Sequence, residues 1–394
     1  MIQLRQKPKQ IIRSELEQEI KGVSLTRDAW RRLRRNKMAM GGLVVVVIYI
    51  LLAILAPVLP IYSYKNIILD HQHLPPSLTK TAGELLIEKR MNETYLLAAR
   101  DGRAELTEEQ RAEVKGMSMN EQLEFYGELG REGKITLNEN EKQALEELRG
   151  EIENETMESR GETVKVHERR YFFGTDYHGR DMLARTIYGG QISIAIGILG
   201  ALMSVLIGII MGSLAGYLGG KVDYIIMRVV DVMYGLPYML LVIILMAIFG
   251  RNILNLFLAL SVVSWLTVAR VVRGQIISLK NSEFVEAARS IGASTGRIIF
   301  RHMVPNTLGI IIVFATLRIP SFIMMEAFLS FLGLGISAPY ASWGSLVGDA
   351  VEGMAHYPWR LFFPAIAMTL FLFAMNFLGD GLRDAFDPQS KNRL

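Results

Sequence analysis

No residue between Met38 and Pro60 carries a charge, and five further apolar stretches follow at about 191–217, 233–250, 253–272, 306–333 and 361–379. Each is close to the ~20 residues that an α-helix needs to cross the hydrocarbon core of a bilayer. The pattern predicts an all-α membrane protein with six transmembrane helices. The first run follows a polar segment, residues 1–37, that ends in Arg31, Arg32, Arg34, Arg35 and Lys37. Basic residues gather on the cytoplasmic side, so the first helix runs from inside to outside, and six spans return the C-terminal tail, 380–394, to the cytoplasm. The loop carrying Arg270, Arg273, Lys280, Arg289, Arg297 and Arg301 then also lies inside, as the same rule asks. A cleaved signal peptide is the alternative for the first run, because Ala53 and Ala56 resemble a small-residue cleavage site. The long basic region and the full spanning length argue against it.

Between the first two runs the pattern changes. Residues 61–190 hold 18 Lys and Arg against 25 Asp and Glu, a balance of −7, while the rest of the chain holds 25 against 14, a balance of +11. This acidic region is predicted to lie outside the membrane. Thr107 with Gln110 and Asn138 with Glu141 have the spacing of helix-start capping boxes. Met119, Leu123, Tyr126 and Leu129, then Leu145, Leu148 and Ile152, recur at helical spacing. A helical subdomain over about 67–160 is expected, with a solvated acidic loop as the alternative. The apolar core is 191–379.

Composition narrows the chemistry. Of 394 residues, 51% are hydrophobic and none is cysteine, which excludes disulfides, thiolate metal sites and cysteine nucleophiles. The pI near 9.1 follows from cytoplasmic Lys and Arg rather than from nucleic-acid binding. No phosphate-binding loop is present: Gly220-Lys221 has Ala215 in place of the first glycine and Val222 in place of the hydroxyl residue. His71 and His73 read as surface residues, since only Asp70 is near them in sequence. Neither a Gly-x-Ser-x-Gly elbow nor a His-Glu-x-x-His helix occurs.

The most informative stretch is the loop at about 281–305. Ser282 is placed to cap a short helix whose first turn carries Glu283, favourable at the positive end of the helix dipole. Ala287 and Ala288 leave a low-relief surface, Gly292 permits a sharp turn, and a second helix leads to Pro305. Such a hairpin suits insertion into a partner's groove, and an amphipathic interfacial loop is the plainer alternative.

Glu286-Ala287-Ala288, Gly292, Val304 and Pro305, at this spacing, resemble the signature loop of the membrane subunits of binding-protein-dependent ABC importers. His302 departs from an apolar position of that pattern. Gly174-Thr175-Asp176, Gly179-Arg180-Asp181, Ser342-Trp343-Gly344 and Gly379-Asp380-Gly381 are similar to elements of C-type permeases of the oligopeptide, dipeptide and nickel group. Ala184 and Gln191 depart from the commoner residues. The resemblance covers 1–66 and 165–394 and leaves the helical insertion unexplained. It implies the type I ABC importer permease fold in a cell membrane, with both termini cytoplasmic. It also implies a second homologous permease, cytoplasmic ABC ATPase subunits and an extracytoplasmic substrate-binding protein. No catalysis and no cofactor are implied in this chain, because ATP and Mg would be bound by the partner ATPases. Glu286, Ala287, Ala288, Gly292 and Pro305 would form the coupling loop.

Arg318 and Glu326 stand inside the fifth apolar run, where a charge costs about 2.5–3.5 kcal/mol at the bilayer centre. Eight residues apart, they fall about 80° apart around a helix, close enough to share a broad inner face unless Pro320 rotates them. Either they line a translocation path and bind the charged termini of a peptide, or they bond to the partner permease. Oligopeptides or dipeptides are the expected cargo, with nickel or another small solute as the alternative. A membrane-anchored receptor that binds through the acidic block is an alternative of a different class.

Overall fold

The computed structural model describes residues 25–159, 162–250, 252–336 and 338–386. The expectations for residues 1–24 and for the tail beyond 386 lie outside them. A short helix α1 (Leu25–Arg35) leads into α2 (Lys37–Leu55), whose start is capped by the Asn36 side chain accepting from the Ala39 amide at 3.1 Å. The predicted span 38–60 ends earlier, at Leu55. Pro57 and Pro60 lack the amide that further helical turns require.

The helical insertion is present as an ordered block of four helices, α3 (Ala82–Ala98), α4 (Glu108–Val114), α5 (Met119–Arg131) and α6 (Glu139–Asn154). Capping boxes form at both expected places and also at Thr81 with Glu84 and Ser118 with Glu121. Leu96, Ala98, Tyr126, Leu129 and Ile135 make its small core. A two-stranded antiparallel hairpin, β1 (Thr156–Ser159) and β2 (Glu162–Lys165), closes the block. The two ends of the block meet: the Ala82 amide donates to the Arg169 carbonyl at 2.7 Å and the Gly83 amide to the His167 carbonyl at 2.8 Å.

The next helix, α7, runs from Met182 to Leu218, capped by Asp181, whose carboxylate accepts from the Leu183 and Ala184 amides. At 37 residues it is about 55 Å long, against about 30 Å of hydrocarbon core. It therefore begins nine residues before the predicted boundary at 191, outside the apolar window. The predicted straight span over 233–250 is also corrected: α8 (Gly220–Gly235) and α9 (Tyr238–Phe249) meet at a 90° bend. Pro237 has no amide to continue the ladder. Among the described residues, five helices are long and apolar enough to cross a bilayer, and the bent pair makes a sixth span if it is taken as one.

Helix α10 (Ile253–Leu279) packs along α7 in the same direction. Gly208, Gly212 and Gly216 let the backbones approach, because a Cβ on Gly212 would overlap the Ala269 carbonyl. Then come α11 (Glu283–Ser290), α12 (Thr295–Phe331, with a π turn over Ile298–Met303), α13 (Trp343–Ala350) and α14 (Trp359–Phe386). Because α7 starts beside the helical block and α10 runs parallel to it, α11 lies at the end of the bundle opposite the block.

Candidate functional site

Two places carry the sequence's candidate residues, the loop after α10 and the middle of α12. In the loop, Val285 and Ala288 are buried against Val272, Ile276, Ile298 and Met303, which anchors α11 to the bundle. Glu283, Phe284, Glu286, Ala287 and Ile291 are exposed, Ile291 to 86%. Ala287 thus belongs to the open surface, whereas Ala288 is an anchor. Phe284, Ala287 and Ile291 follow one another at i, i+3 and i+7 and form an apolar ridge. The Glu286 carboxylate beside it makes no hydrogen bond or ion pair among the described residues.

Local chemistry explains the turn. Ser282 occupies the N-cap position, but its hydroxyl donates to the Leu279 carbonyl at 2.7 Å, so the expected side-chain cap does not form. At the other end Gly292 has φ +79°. Its amide donates to the Arg289 carbonyl, and the Ala293 amide donates to the Ala288 carbonyl, both at 3.0 Å. This is the paired bonding of a Schellman stop, which needs a left-handed residue. Pro305 is exposed and cannot donate to Arg301, and the ladder just before it widens into the π turn.

In α12 the two charges occupy different surroundings. Glu326 is fully buried; one carboxylate oxygen accepts from Ser330 at 2.6 Å and from Ser342, the cap of α13, at 2.5 Å. It joins α12 to α13. Arg318 is half-buried and borders a cavity of about 350 Å³ bounded by the α8–α9 bend, α10 and α12. Tyr234, Tyr238, Ser264, Thr267 and Ser321 share that lining. Tyr238 and Ser264 hydrogen-bond at 2.8 Å, Tyr234 and Thr267 at 2.5 Å, and below them Arg270 pairs with Asp231 at 2.5 Å. Ser261, Ser264, Thr267 and Arg270 form a polar stripe at spacing three along α10. The predicted common inner face of Arg318 and Glu326 is not realised.

At the opposite end, the Gly174–Asp176 and Gly179–Asp181 motifs before α7 form a polar knot. Asp176 is buried and accepts from Arg180 Nε at 2.7 Å, from Arg185, and from the His178 and Arg180 amides. Burial opposes its charge, but the two guanidinium groups and the amides outweigh it and hold the carboxyl below its ordinary value. Burial pushes Asp181 up to about 6 against the amide bonds it accepts.

His71 corrects the surface reading. It is fully buried, with Nδ1 2.7 Å from the Tyr171 hydroxyl and Nε2 2.9 Å from His167 Nδ1; His167 Nε2 in turn lies 2.7 Å from Glu155. A carboxylate only accepts, so His167 donates to Glu155. Burial first, then His167 and Arg169, pull His71 down to about 3, so its ring is neutral. No signal local to residues 70–73 marks this, because the partners are 96 and 100 positions away. His73 stacks on Tyr357 at 3.9 Å.

Comparison with known proteins agrees with this architecture. The family described as binding-protein-dependent transport system inner membrane component matches residues 182–392. The N-terminal TM domain of oligopeptide transport permease C matches residues 24–76. The oligopeptide transport system permease protein OppC of Bacillus subtilis is 35% identical over 94% of this chain and 91% of its own length. The dipeptide transport system permease protein DppC of the same organism is 36% identical over 93% and 87%. OppC of Escherichia coli K12 is 51% identical over 57% of this chain and 74% of its own length. The two family matches step over residues 77–181, which contain the helical block.

Proposed function

Because this chain belongs to the binding-protein-dependent transport system inner membrane component family, we propose that it is the C-type permease subunit of an ATP-driven importer of oligopeptides or dipeptides. The relatives named for oligopeptide and dipeptide transport support the cargo. One observation carries the coupling role: α11 is fixed to the bundle through Val285 and Ala288 yet presents Phe284, Ala287, Ile291 and an unpartnered Glu286. An apolar ridge on a short anchored helix fits a groove in a cytoplasmic ATPase, with Glu286 accepting charge-assisted hydrogen bonds at its rim. ATP and Mg are held by those ATPases. Their closure moves α11, and through its anchors α10 and α12, which wall the cavity. This chain supplies half of the path and a homologous permease the other half. Both termini face the cytoplasm, and an extracytoplasmic binding protein delivers the peptide to the side carrying the helical block, which helps dock it.

The test is peptide uptake in membranes of the native host. Gly292→Pro and Glu286→Lys should abolish uptake while the tagged chain still copurifies with a second permease, ATPases and a binding protein. Unchanged uptake in the assembled complex would remove the coupling assignment. Copurification with a binding protein that retains nickel chelates and no peptide would replace the cargo.

A further inference from the structure

Arg318 stands 14 residues after Val304 and 13 before Phe331, at the midpoint of the straight part of α12. An ionised group at that depth calls for a partner or a water-filled space. Among the described residues it has no ion pair and no hydrogen bond. The carboxylate nearest to it along the helix face, Glu326, is turned away and bonded to Ser330 and Ser342. Among the described residues no acidic side chain lines the cavity. What lines it is one guanidinium, five hydroxyl groups and an apolar wall that includes Met233, Phe322 and Met325. The Tyr238–Ser264 pair is closed, because Ser264 donates onward to the Leu260 carbonyl, and the Tyr234–Thr267 pair leaves one hydroxyl hydrogen over; the other open donors are Arg318 and the exposed Ser321.

This arrangement is that of an anion receptor. A planar guanidinium offers two parallel N–H donors to a carboxylate, in geometry that an ammonium lacks. About 350 Å³ is at the small end of ligand pockets, enough for one end of a peptide and not its length. Methionines adapt to side chains of different shape, so the wall does not demand one terminal residue. We propose that Arg318, with Ser321, is a receptor for the free C-terminal carboxylate of the transported peptide at mid-membrane depth. The inference rests on the reading that this cavity lies on the translocation path.

The absence of cysteine supplies the test, because Ser321→Cys places the chain's single thiol at the cavity. In the assembled, nucleotide-free complex in nanodiscs, mass spectrometry of this subunit follows its modification by anionic and cationic methanethiosulfonates. With Arg318 present, the anionic reagent should react about tenfold faster than the cationic one, and Arg318→Gln should bring the ratio near one. Trialanine should slow modification, trialanine amide should not, and Arg318→Gln should remove the protection. A thiol inert to both reagents would overturn the path reading and the receptor together. A reactive thiol whose charge preference ignores Arg318→Gln, or which the amide protects equally, would overturn the receptor and leave the path standing. Loss of the second permease from Arg318→Gln, restored by Arg318→Lys together with unaltered peptide protection, would assign the arginine to a subunit contact instead.

Discussion

Asp181 shows how a single position can hold opposed demands. Its carboxylate must cap α7, yet it is buried, and burial raises its affinity for a proton to a value of about 6. A carboxyl whose folded value is raised gives its full stability at low pH and loses it as pH climbs through the folded value. Asparagine keeps one of the two oxygen acceptors of this cap and does not titrate. Asp181→Asn should therefore be more stable than the parent at pH 7 by on the order of 2 kcal/mol, seen as a higher melting temperature, and the advantage should vanish near pH 4. Thermal denaturation of the purified subunit at the two pH values checks this. At this scale the sequence is legible wherever one residue is chemically out of place: Arg318 in an apolar run announces itself. It is mute where the meaning lies in a distant partner. His71, bonded to Tyr171 and His167, looks in sequence like any loop histidine.

Among the elements, the short helix α11 is the most exacting. Its stop requires a left-handed residue at 292, and a β-branched side chain there costs roughly 1–2 kcal/mol in a helix too short to absorb it. Gly292→Val should lose peptide uptake in an assembled complex, whereas Gly292→Asn should keep most of it, because asparagine tolerates that conformation. The α7–α10 contact has a different weakness: Gly212→Val puts a Cβ in overlap with the Ala269 carbonyl oxygen and should destabilise the bundle by about 1–3 kcal/mol, read as a lower melting temperature in detergent. The spans were legible because a bilayer imposes one length criterion on every helix. The bend between α8 and α9 was not, since Pro237 sits in a window apolar enough to pass as continuous. The hairpin β1–β2 was hidden for another reason: four-residue strands rich in Glu and Thr carry too little periodicity to register. Capping boxes were legible because the bonding is local, three residues from donor to acceptor.

Taken whole, the molecule sets its charges at opposite ends of an apolar bundle. The acidic block and the polar knot of Asp176, Arg180 and Arg185 stand beside the start of α7, and the exposed α11 stands beside the end of α10. If the block serves docking, excising residues 84–166 and joining the ends with a three-residue Gly-Ser-Gly link should leave assembly and melting of the bundle within error. Uptake at limiting binding protein should then fall several-fold, while uptake at saturating binding protein is retained. Equal uptake at both levels would remove the docking role. The design is possible because the ends of the block are already bridged by the backbone bonds of Ala82 to Arg169 and Gly83 to His167.

Those two adjacent bonds also make the block portable. An insertion whose entry and exit are joined by two adjacent backbone bonds returns the chain to the place it left, so the length of the block sets no membrane contact. The same junction makes it a folded landmark at the end of the bundle opposite α11. An antibody fragment raised against its four helices would follow the orientation of the whole subunit, a fixed landmark for imaging the importer as it turns over.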